Sequence, residues 1–107
     1  MKIIYVVCST IEAARARAQK DYLMILSSDL QLDTVRLQWD KSNNLIHYRE
    51  TDYHYVSVRQ VLRNFDGVCL DKFELDSTVS LEKEEIIKRL IFRLKRAQLG
   101  GKIKWNH

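Results

Sequence analysis

The sequence predicts an α/β fold: one compact domain in which a mixed sheet of about five strands, a β-hairpin among them, carries two main helices. Three observations predict it. An apolar run at residues 2–7 gives way to a capping signal and an amphipathic helix, the strand-then-helix order of an α/β unit. Between Thr34 and Tyr48 the apolar period becomes two, the mark of strands with one buried face. From Ser80 onward the helical period returns, with acidic residues leading and basic residues closing it.

The first run, Ile3-Ile4-Tyr5-Val6-Val7, is rich in β-branched residues and predicts a strand buried on both faces. Ser9 stands three residues before Glu12, a capping box in which hydroxyl and carboxylate satisfy free backbone donors. A helix over 10–26 follows, with Ile11, Ala14, Ala18, Tyr22 and Ile25 on its apolar face. Its alanines let it lie close against a sheet. Val35, Leu37 and Trp39 then alternate with Arg36, Gln38 and Asp40, and Lys41-Ser42-Asn43-Asn44 supplies turn chemistry before Leu45 resumes an extended pattern. This predicts a hairpin over 34–50, with Asn43 and Asn44 accepting the left-handed conformation. Residues 53–58 extend again and run into a short helical turn over 59–64. Val68-Cys69-Leu70 predicts a second buried strand, over 67–71, ending at Asp71. The last helix spans 81–98, capped by Ser80 and striped by Ile87, Leu90, Ile91 and Leu94, and Gly100-Gly101 stops it. Residues 1–99 thus form the domain and 100–107 a short basic tail.

Composition excludes several functions. The chain has three glycines (Gly67, Gly100, Gly101) and no proline. At about 7% glycine the first 66 residues should hold roughly four or five, and they hold none. A Walker loop, a dinucleotide fingerprint and a nucleophile elbow all need glycine where backbone approaches phosphate or takes positive φ. Cys8 and Cys69 lie inside apolar runs, so reduced, buried thiols are expected in place of a disulfide framework or a zinc ribbon. No signal-type start and no apolar stretch of roughly 20 residues is present, which predicts a cytoplasmic protein with no membrane partner.

Charge is concentrated at one end. The whole chain carries a formal +4, yet residues 81–107 hold eight Lys/Arg against three Glu. The other residues are close to neutral. Lys88, Arg89, Arg93, Lys95, Arg96, Lys102 and Lys104 therefore form the candidate contact for nucleic acid or an acidic protein surface, since such patches displace counterions from phosphates. Tyr48, Tyr53 and Tyr55, interleaved with His47, Arg49, His54 and Arg59, are the candidate stacking residues. The competing reading of each is structural: basic residues stabilise a helix C-terminus, and tyrosine is a good strand former.

Ile3 to Val7 followed by Cys8-Ser9-Thr10 resembles the opening of the phosphocysteine proteins of bacterial sugar phosphotransferase systems and of small cysteine phosphatases. The resemblance implies a reactive Cys8. Those families follow the cysteine with a glycine-containing loop, and the phosphatases place Arg six positions on, where this chain has Ala14. A structural thiol is therefore expected. The order strand, Ser9-Thr10, helix, hairpin, Val58-Arg59-Gln60-Val61-Leu62-Arg63, then Phe65 to Asp71 resembles half of a P-loop NTPase. Helicases and terminases end an apolar strand with an acidic magnesium ligand, and Asp71 matches that position. Without the phosphate loop, the arrangement is similar to small phage-type accessory proteins that keep a P-loop-like frame and no Walker loop.

Asp71, Glu74 and Asp76 could gather on a divalent cation, but no further acid and lysine are spaced to make a nuclease. His47, His54 and His107 show no ligand spacing with the cysteines. No metal or cofactor is expected. The leading expectation is a non-enzymatic binding protein, of phage or mobile-element type, that engages nucleic acid or another anionic partner through its basic C-terminal helix. The alternative is a protein-interaction module, either a homodimer through the apolar side of that helix or an inhibitor of a host enzyme. A metal-dependent nuclease or a cysteine-phosphate enzyme ranks third.

Overall fold

A computed structural model describes residues 2–28, 37–63, 69–80 and 83–94. In chain order these form β1 (Lys2–Cys8), α1 (Ile11–Ser28), β2 (Leu37–Asp40), β3 (Leu45–Tyr48), β4 (Thr51–Ser57), α2 (Val58–Arg63), β5 (Lys72–Leu75) and α3 (Lys83–Arg93). The five strands make one mixed sheet in the order β2-β3-β4-β1-β5. β1 runs parallel to β4 on one side and to β5 on the other, while β2-β3-β4 is antiparallel. No helix among the described residues is long and apolar enough to cross a membrane.

Alternation along β1 divides the core into two. Val6 and Cys8 face α1 and pack with Ala14, Ala18, Leu37, Ile46 and Tyr55. Val7 faces the other way, onto Val61 of α2 and Ile86 and Leu90 of α3, with Leu70 and Val79. α1 therefore covers one face of the sheet and α2 with α3 the other, so β1 is buried on both, as its unbroken apolar run predicts. Because Ala14 and Ala18 carry only a methyl group and are fully buried, the α1 backbone approaches the sheet closely.

Several boundaries differ from the sequence reading. Thr10, not Ser9, caps α1: its Oγ1 accepts from Ala13 N at 3.1 Å, while Ser9 N donates to Thr78 Oγ1. In the hairpin turn Asn44 takes the left-handed conformation (φ 54°) and Asn43 does not; Arg49 does so at the next turn (φ 52°). The strand predicted over 67–71 is displaced to 72–75, and residues 64–68 lie outside those described. Leu70 is buried in an isolated bridge to Leu94, and Cys69 is exposed, contrary to the expected buried thiol. That bridge also ends α3. Leu94 N turns to the Ile91 carbonyl and Leu70 N bonds the Arg93 carbonyl, so the helix stops at Arg93 and not at 98. Its fully buried positions are Ile86 and Leu90: Leu90 lies on the predicted stripe and Leu94 packs beside it, but Ile86 takes the buried place predicted for Ile87, which is half-buried. On the apolar side of α3, Ile86 and Leu90 pack into the core.

His54 on β4 stacks on Tyr5 of β1, ring centroids 4.7 Å apart and ring planes nearly parallel. Burial depresses its pKa below the ordinary 6.5, against the opposing pull of Asp52. The unfolded chain then binds more protons than the native state between the depressed value and 6.5, so stability is full above pH 6.5 and falls as pH drops through that window. His54→Phe keeps the ring stack and removes the titration. Urea midpoints measured from pH 8 to pH 5 are expected to fall more steeply for the parent than for this variant.

Candidate nucleic-acid interface

α3 is amphipathic in a way that sorts its charges outward. Ile86 and Leu90 anchor it, and Glu85, Lys88, Arg89 and Phe92 recur at spacings of three and four on the exposed side. Arg89 is fixed by an i, i+4 ion pair, Nε to Glu85 Oε2 at 3.0 Å, and reaches the Leu62 carbonyl of α2 at 3.3 Å. The Arg93 guanidinium lies 6.0 Å from the centroid of the Phe92 ring. Phe92 itself is 83% exposed. An aromatic face that open, among three cations, is a set suited to bases and phosphates together. Lys95, Arg96, Lys102 and Lys104 lie outside the described residues.

The predicted tyrosines are not part of this surface. Tyr48, Tyr53 and Tyr55 belong to the core cluster on the α1 side of the sheet, across it from α3. Tyr55 is buried and donates its hydroxyl to Asp21 at 2.8 Å, so its ring offers no stacking face. Tyr48 and Tyr53 are half-buried, Tyr48 lying under the Arg49 guanidinium at 5.1 Å. The candidate residue not singled out from the sequence is Phe92. Its signal was present: it is a large apolar side chain off the predicted stripe, one turn after Lys88.

A second charged group proves structural. Arg17 of α1 donates through Nε to Asp21, through Nη1 to Asp76 at 2.7 Å and through Nη2 to Glu74 at 2.7 Å. Burial opposes its charge, but hydrogen bonds to Glu74, Asp76 and Asp21 outweigh that and raise its pKa above the ordinary guanidinium value. Asp76 is also held by Thr78, whose hydroxyl and backbone N–H both donate to it. Burial would raise the Asp76 pKa, yet Thr78 and Arg17 keep it below the usual carboxylate value.

These placements correct the remaining chemical readings. Asp71 precedes β5, so it stands at the start of a strand and not at its end. Its carboxylate accepts from Ile3 N at 2.8 Å while its own N–H bonds the Ile3 carbonyl, a clamp on the first turn of pairing. Glu74 and Asp76 are joined to Arg17. Among the described residues no three His, Cys, Asp or Glu gather as a metal would require. Cys8 is fully buried, and burial, reinforced by the charge of Asp76, pushes its thiol up to about 12. A nucleophilic cysteine needs the opposite shift. No protein-family model, curated protein or solved structure matches this chain.

Proposed function

We propose that this protein binds nucleic acid without catalysis, through the outer face of α3, with single strands preferred over duplex. The observation that carries the reading is Phe92, held 83% exposed beside the exposed Lys88 and Arg89, with the half-buried Arg93 guanidinium 6.0 Å from its ring centroid. A phenyl ring this exposed adds little packing to the fold, whereas a base stacked on it gains contact and the cations neutralise the adjoining phosphates. The sequence adds Lys95, Arg96, Lys102 and Lys104 directly after this helix. Phe92→Ala should leave the melting temperature within a few degrees of the parent, because the ring is not packed. Affinity for a labelled single-stranded oligonucleotide should fall about 5- to 100-fold, the cost of one stacking contact, with little change for duplex. Equal losses on both substrates, or none on either, would count against a stacking role.

A second reading rests on α1. Leu23, Met24 and Leu26 are exposed near its end, an apolar patch of the kind that contacts protein. Light scattering across a concentration series separates this reading from the first: self-association abolished by Leu23→Lys would favour it.

A further inference from the structure

Two adjoining cavities open beside the β2–β3 turn, on the face of the sheet opposite α3. The larger, about 560 Å³, is lined by Arg15, Gln19, Trp39, Lys41, Ser42 and Asn44. The smaller, about 190 Å³, shares Arg15, Lys41, Ser42 and Asn44 and reaches Gln60. The larger is of a size that takes a small organic ligand.

Asn44 is the anomaly at their junction. Only 7% of it is exposed, and its backbone carbonyl accepts from Tyr55 N at 3.0 Å, which locks the residue in place. Yet its side-chain oxygen and nitrogen are both out of contact with solvent and have no hydrogen-bond partner among the described residues. Trp39 Nε1 is in the same state. Buried polar atoms are almost always paired. The turn does not supply the pairing, because Asp40 spends its carboxylate on Ser42 Oγ, Asn43 N and Asn43 Nδ2. Two cations border the same groove. Arg15 is exposed on α1, and the Lys41 ammonium rests over the Trp39 indole, 5.0 Å from its centroid.

We propose that this groove binds a nucleotide: the base displaces the Lys41 ammonium from the Trp39 indole and stacks there, the movement of Lys41 and the turn uncovers the Asn44 amide to the base edge, and the phosphate meets Arg15 and the displaced Lys41. The Asn side chain offers a donor beside an acceptor, the complement of adenine N7 and N6. An indole stacks on any base. A guanidinium and an ammonium are the side chains that hold phosphate. The site is independent of the α3 surface, which lies across the sheet, so either can fail alone. The shared chemistry fits a free mononucleotide or one nucleotide of a strand.

The test uses the full chain with Trp105→Phe, leaving Trp39 as the sole tryptophan reporter. AMP should quench its fluorescence saturably, with adenosine and inorganic phosphate each at least tenfold weaker. Asn44→Gly suits the left-handed backbone and deletes the orphaned amide, so it should melt no lower than its parent while binding AMP at least tenfold more weakly. In a Lys88→Glu/Arg89→Glu background AMP quenching should be unchanged. An oligoadenylate tighter than AMP in that background assigns the site to strands, and one no tighter assigns it to free nucleotide. Absent quenching by AMP, phosphate binding as tightly as AMP, or full affinity in Asn44→Gly each overturns the proposal.

Discussion

Arg17→Ala should destabilise the domain by about 3 kcal/mol, the scale on which breaking a hydrogen-bonded, partly buried ion cluster falls. For a domain of this size that lowers the melting temperature by roughly 12–20 °C. The loss is large because the guanidinium serves three carboxylates at once. Removing it leaves Asp21, Glu74 and Asp76 as unneutralised negative charges beside the buried Cys8 and Tyr55. Arg17→Lys should recover little, since an ammonium cannot span three partners in fixed directions. The link tested is between α1 and the end of β5, so thermal melts should show the deficit shrinking as pH falls and the carboxylates protonate. A deficit independent of pH would mean that lost packing, and not charge, is responsible.

Lys88→Glu/Arg89→Glu is expected to weaken single-strand binding roughly 10- to 100-fold near 0.1 M salt and to reduce the slope of log affinity against log salt by about 1.4, the counterions of two phosphate contacts. Both side chains are exposed, and Arg89 loses a surface ion pair with Glu85 and an exposed hydrogen bond to the Leu62 carbonyl. Stability should therefore change by less than about 1 kcal/mol. Anisotropy titrations at several salt concentrations give both quantities, and a urea melt of the same sample shows that the fold is intact.

The elements most legible in the sequence were those with an unambiguous period. β1, α1 and the hairpin appear where the apolar spacing put them, and the Asn44 turn does what its residue type allows. β5 escaped because Lys72-Phe73-Glu74-Leu75 is a short edge strand with two charged residues in four, which carries little apolar signal, while Val68-Cys69-Leu70 carries more. The end of α3 escaped for a different reason. It is set by the pairing of Leu94 with Leu70, a tertiary contact that overrides helical propensity continuing past it. The Arg17 cluster joins residues 57 and 59 positions apart. Only the parallel pairing of β1 with β5 brings them together, so no local pattern could announce it. On α3 the charges and the off-stripe position of Phe92 were visible in the sequence, but how far the ring stands open depends on which face the core has taken.

Contact of the outer face of α3 with phosphates and bases together is measured most directly by the anisotropy of a labelled single-stranded oligonucleotide titrated with the full chain from 0.05 to about 0.3 M salt, alongside Lys88→Glu/Arg89→Glu and Phe92→Ala. Affinity should fall linearly with log salt for the parent, less steeply for the charge variant, and with the parent's slope but a uniform offset for Phe92→Ala. Salt-independent binding, or identical curves for all three proteins, would contradict it.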